Sequence, residues 1–176
     1  MAADKAHRKR DSVKSGVDTL LRLVPIPEFE TRPRDLRRIR ALQRGTVERV
    51  MRGEPLECDV VKELVSWRRG NPSEYAQIEA GLRLLAEQEN IPYGARVKPC
   101  RRASGIIEVK AGKRRLYCFL DPDTRETVIA AIVQSVNAGN KDDNQREAIA
   151  RAASLLREWT ESDAHPAMPD VRVKIS

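Results

Sequence analysis

The stretch AGKRRLYCFLDPDTRETVIAAIV, Ala111 to Val133, decides how this chain is read. Three cations, Lys113, Arg114 and Arg115, stand at the mouth of a segment otherwise built for burial. Asp121-Pro122-Asp123-Thr124 is a chain-reversing turn. VIAAIV at 128–133 is nearly continuous in apolar character, as a central strand covered on both faces requires. Upstream, Ala111-Gly112-Lys113 is a tight link with a glycine in it. The spacing predicts three strands, Gly105–Lys110, Arg114–Leu120 and Thr127–Val136, in an antiparallel meander. Alternate residues share a face, so Arg115, Tyr117 and Phe119 point one way, and Arg114, Leu116, Cys118 and Leu120 the other.

Working outward, Asp59 is placed to cap a helix holding Val60, Val61, Leu64 and Val65, and Gly70-Asn71-Pro72 stops it. Ser73 opens a second helix whose stripe is Tyr75, Ile78, Leu82 and Leu85, running to about Gln88. The two read as a helical hairpin. Asp142 and Gln145 have capping-box spacing and open a last helix, with Ala148, Ile149, Ala152, Leu155, Leu156 and Trp159 facing the sheet. After Ser162 a tail follows, in which Val171–Ile175 alternates like an edge strand. At the other end, residues 1–11 read as a disordered basic arm. Val13, Val17, Leu20 and Leu21 recur at helical spacing, and PIPEFETRP is a proline-punctuated connector. Residues 34–52 suit a helix with Leu36, Ile39, Leu42, Val47 and Val50 on one stripe and six arginines opposite. The expected fold is therefore α+β: a helical hairpin packed on a small antiparallel sheet with a C-terminal helix, plus a helical N-terminal extension over 12–57. The main domain spans 58–162 and the tail 163–176.

The charge is clustered. Net charge is +7 over 176 residues, and residues 93–117 hold eight Lys/Arg against one Asp/Glu, whereas 53–92 hold four against eight. Such a block is the footprint of a surface that meets polyanions or acidic proteins. Three cysteines without paired spacing and two histidines assemble no zinc pattern, so no metal and no cofactor is expected. MAADKAHRKR lacks an apolar core for a secretory signal, and no run of about 18 apolar residues exists. The expectation is a cytoplasmic protein with no membrane role.

The elements in order, with Lys98-Pro99-Cys100, then Gly105-Ile106-Ile107-Glu108-Val109-Lys110, then Arg114-Arg115-Leu116-Tyr117-Cys118-Phe119, then Asn140-Lys141 before Glu147 and Ala148, resemble the RelE/HigB-type toxin superfamily over residues 60–159. These are the small ribonuclease toxins of bacterial toxin–antitoxin pairs and their phage-borne relatives. The resemblance implies an endoribonuclease cleaving mRNA, commonly on the ribosome, and a cognate antitoxin or other acidic protein partner. Lys110 stands where many members carry Arg, and Asn140-Lys141 where many carry two lysines. The chemistry requires no histidine: the RNA 2′-OH attacks the adjacent phosphate, and fixed cations stabilise the extra charge. On this reading the catalytic candidates are Arg114, Arg115, Tyr117 and Lys141, and the RNA-binding candidates Lys98, Arg101, Arg102, Lys110 and Lys113. If the loop holding Lys98, Arg101 and Arg102 folds over the sheet, these cations converge near Tyr117. The alternative is a non-enzymatic regulator of phage or host origin, with the same fold, that binds a protein or nucleic acid. A third reading gives the binding work to the arginine-rich stretch at 34–52.

Overall fold

The computed structural model describes residues 17–46, 48–49, 52, 54, 56–136, 139 and 141–175, with 17–19, 141 and 175 described by their backbone alone. The arm expected at 1–11 lies outside these residues, as do Val13, Val47 and Val50 of the expected N-terminal helices. The element order is β1 (Val17–Pro25), β2 (Arg38–Gly45), α1 (Asp59–Gly70), α2 (Pro72–Glu87), β3 (Val97–Pro99), β4 (Ile107–Ala111), β5 (Arg114–Leu120), β6 (Thr127–Ser135), α3 (Lys141–Glu161), β7 (Asp163–His165) and β8 (Met168–Ile175). The strands form one sheet in the order β3-β4-β5-β6-β2-β1-β8-β7. Its neighbours are antiparallel except β2 and β6, which run parallel.

This corrects the expected fold. The sheet is mixed and eight-stranded rather than small and antiparallel, and the residues read as a helical extension supply β1 and β2. The helical reading of 34–52 rested on Leu36, Ile39 and Leu42 sharing a stripe. In the structure Leu36 is 55% exposed and Ile39 and Leu42 go to opposite faces. Pairing on both sides, with β1 and β6, outweighs a local preference worth only tenths of a kcal/mol per residue. The alternation at Val171–Ile175 is a strand, but an interior one between β1 and β7.

Two apolar layers flank the sheet. On one face α1 and α2 bring Leu64, Trp67, Ile78, Leu82 and Leu85 against Val109, Leu116, Cys118, Val128 and Ala130. On the other, α3 brings Ala148, Ala152 and Trp159 against Tyr117, Phe119, Ile129 and Ala131. Strand β5 thus divides as alternation predicts, with Leu116 and Cys118 on the first face and Tyr117 and Phe119 on the second. Between β5 and β6 the register slips: Tyr117 faces Ile132 while Cys118 faces Ala130. The slip leaves Ala131 as the extra residue of a bulge.

The arginines of the N-terminal third are absorbed by structure. Arg37 donates to the carbonyls of Leu85 (2.9 Å), Gln88 (2.6 Å) and Glu89 (3.0 Å). It thereby satisfies the end of α2, whose last turn has no basic residue of its own. Arg38 forks onto Asp170, Arg44 pairs with Glu158, and Arg83 reaches Asp35 at 3.4 Å while lying over the Phe29 ring. At the start of α2, Pro72 occupies the first turn and the Asn71 side chain accepts from the Glu74 N–H.

The layers meet closely at Gly81 of α2, where an added Cβ would stand 2.4 Å from Val109 Cγ1. Gly81→Ala forces helix and sheet apart. A loss of about 1–3 kcal/mol is expected from overpacking, despite the better helix propensity of alanine, and urea unfolding measures it.

Arg172 of β8 closes the far end of the α3 face. Its guanidinium lies 4.5 Å over the Trp159 ring, pairs with Asp121 at 3.7 Å and with Asp123, and donates to the Ser162 carbonyl. Trp159 Nε1 donates to the same Asp121 carboxylate. No helix among the described residues is long and apolar enough to cross a membrane.

Candidate nucleic-acid interface

The three cations heading β5 part company at once. Arg114 goes to the α1/α2 face. There its Nε meets Glu74 Oε2 at 3.2 Å, its Nη1 bonds Ser135 Oγ, and its guanidinium lies 5.4 Å from the Trp67 ring centre. Gly112 makes room for this: it has φ +55°, and a Cβ there would come within 2.1 Å of Glu74 Oε1. Arg115 goes to the α3 face and is only 3% exposed. Its Nε lies 3.5 Å from Glu108 Oε1, and its Nη1 donates to the carbonyls of Gly112 and Arg114. Lys113, in the turn, is the exposed one of the three.

Tyr117 is fully buried beneath α3, and its hydroxyl bonds Gln134 Oε1 at 3.2 Å. Burial, aided by the nearby Glu108 carboxylate, raises its pKa well above the ordinary phenol value. That direction is opposite to what a proton-accepting tyrosinate needs. The expected convergence of cations on Tyr117 therefore does not occur. The loop after β3 does fold over this face, but it turns Cys100, Ala103 and Ile106 inward and Arg101 and Arg102 outward. An unpaired buried guanidinium would cost far more than three buried apolar side chains gain. Lys141 opens α3, and its side chain lies outside what is described.

The pH dependence follows from the raised Tyr117 pKa. The unfolded phenol ionises near pH 10 whereas the folded one keeps its proton, so above that pH the unfolded state holds fewer protons. Its stabilising contribution is complete below pH 10 and is lost as pH rises from there through the folded value. Tyr117→Phe is expected to show a shallower alkaline decline than the wild type, measured by urea midpoints between pH 8 and 11.

What remains for a ligand is a row of cations along the β3 edge. Arg96 leads into β3, Lys98 lies on it opposite Glu108, and Arg101 and Arg102 follow it. All four are exposed, as is Lys113 at the neighbouring turn. Among the described residues none of the five side chains has a carboxylate at ion-pair distance. Lys110, half-buried, faces Arg115 across the β4–β5 ladder. The row follows β4, whose five residues span about 17 Å at about 3.3 Å each. Tyr93, 51% exposed, stands at its head.

Arg96 and Tyr93 were not among the residues singled out from the sequence. The signal was present: an aromatic and four cations interleave in the ten residues YGARVKPCRR. Compared with known proteins, the chain matches no family model, no curated protein and no solved structure.

Proposed function

We propose that this chain binds single-stranded RNA along the β3 edge. The observation that carries the reading is the contrast between two sets of cations. Those at 37, 38, 44, 83, 114, 115 and 172 are held by carboxylates or carbonyls. Arg96, Lys98, Arg101, Arg102 and Lys113 stand exposed in a row with no such partner among the described residues. Like charges so aligned repel one another, and a phosphate backbone relieves that repulsion. An exposed aromatic beside a basic track is the arrangement by which single strands are held, the base stacking on the ring while the phosphates follow the cations. The resemblance of residues 60–159 to RelE/HigB-type toxins supports RNA as the polyanion.

Binding is put ahead of cleavage because Arg115 and Tyr117 are inside and Arg114 is committed to Glu74. A labelled 20-nucleotide single-stranded RNA of mixed sequence, followed by fluorescence anisotropy, tests the proposal. Saturable binding is expected at 50 mM salt, with log K falling against log salt by about 0.7 per phosphate engaged, and with the RNA recovered intact. No binding at that salt would overturn it and leave the row as a guard against edge-to-edge pairing. Cut RNA would return the nuclease reading to first place.

A further inference from the structure

Strands β2 and β6 pair only over Arg38–Ala41 and Thr127–Ala130. Beyond that they diverge, β2 staying with β1 and β6 with β5. The gap opens into a cleft of about 730 Å³, lined from both strands and from the helices on both faces. The chain leaves β2 for α1 on one face and leaves β6 for α3 on the other. The cleft therefore lies outside the carboxyl ends of two adjacent parallel strands whose connections go opposite ways, the place where open α/β sheets receive ligands.

Its walls carry separated charges over an apolar floor. Leu42, Val60, Ile132 and Leu155 supply the floor. On the α1 side stand Asp59 and Glu63, and on the α3 side Arg151. None of these three has an ion-pair partner among the described residues, whereas the neighbouring Glu57 is held by Lys62 and Arg44 by Glu158. Gln43 also lines the cleft and is 3% exposed. Its Oε1 accepts from Arg22 Nε, but its Nε2 is buried with no partner among the described residues. A buried donor left this way costs free energy until something accepts from it.

We propose that this cleft binds a zwitterionic small molecule, its ammonium toward Asp59 and Glu63 and its carboxylate toward Arg151 across the gap. Walls of opposite sign disfavour a polyanion and a polycation alike. The two walls belong to opposite faces of the sheet, so the ligand's charges are separated by an apolar spacer of several carbons that lies on the floor. The site is distinct from the β3 edge and independent of the RNA reading.

The probe is 6-aminohexanoate, with hexanoate and hexylamine each lacking one of its charges, titrated into the full chain and followed by amide NMR. Saturable shifts are expected at the backbone amides of Gln43, Asp59, Ser135 and Arg151, which line the cleft. Each single-charge analogue is expected to bind at least about tenfold more weakly, the loss of one charge-assisted interaction. Arg151→Gln should weaken 6-aminohexanoate by a similar factor and leave hexylamine unchanged. Glu63→Gln should weaken 6-aminohexanoate and leave hexanoate unchanged. Both residues are exposed, so these variants keep the fold. Absence of saturable shifts, equal binding of either single-charge analogue, or indifference to both substitutions would overturn the proposal.

Discussion

Arg172→Ala is expected to lower the unfolding free energy by about 3–5 kcal/mol, the cost of leaving a buried carboxylate without its cation. For a chain of this size that is a fall in melting temperature of about 6–20 °C. The reason lies in Asp121, which is 7% exposed and keeps only dipolar partners once the guanidinium is gone: Trp159 Nε1 at 3.4 Å, the Asp123 N–H at 3.2 Å and Thr124 Oγ1 at 3.4 Å. The stacking over Trp159 goes with it. Asp123→Asn is the contrast, because that side chain is 54% exposed and its ion pair is screened. A change of about 1 kcal/mol or less is expected there. Calorimetry on the two variants decides the matter. Equal small losses would mean that water reaches Asp121 and that packing alone fixes β8.

The second large effect concerns the β3 edge. Replacing Arg96, Lys98, Arg101 and Arg102 together by alanine is expected to abolish most RNA affinity at low salt without unfolding the chain, since all four are exposed. At about 0.7 counterions released per contact, four lost contacts flatten the salt slope by about 2.8. Between 50 and 200 mM salt that slope alone is worth about fiftyfold in affinity. Anisotropy titrations at several salt concentrations read both quantities. Arg114→Ala is the control: its guanidinium is held by Glu74 and Ser135, so it should reduce stability while leaving the slope unchanged. A slope indifferent to the edge residues but sensitive to Arg114 would reverse the assignment.

The contrast between the two ends of the chain shows what a sequence exposes to reading. Helices α1 and α2 were legible because Gly70-Asn71-Pro72 punctuates them and their apolar residues recur every three or four positions. Strands β4 to β6 were legible because their turns carry glycine, proline and aspartate, and because their pairing is local. β1 and β2 were not. In LLRLV and RIRAL a period of two and a period of 3.6 fit the same few apolar residues, and what selects the strand is a parallel partner more than eighty residues away. The site divided likewise. Alternation correctly separated Arg114 from Arg115, yet it is silent on depth. That Glu74 and Glu108 would claim those arginines, and that α3 would cover Tyr117, depends on packing between distant segments. The exposed candidates Lys98, Arg101 and Arg102 were the easier reading, because a charge without a nearby opposite has nowhere to go but outward.

The parallel seam between β2 and β6 also bears on the order of assembly. β1 and β2 are antiparallel neighbours joined by residues 26–37 and can pair early, but the second edge of β2 must wait until the chain has reached Thr127–Ala130. During that interval a strand destined for the middle of a sheet is open on one side, the condition in which nascent chains join the wrong neighbour. Arg38, Arg40 and Arg44 lie along that waiting strand and act as gatekeepers, since a second copy offering its own row of arginines is repelled. Two of them, Arg38 and Arg44, later pair with Asp170 and Glu158, so charges that keep the edge solitary become clasps once the rest of the fold arrives.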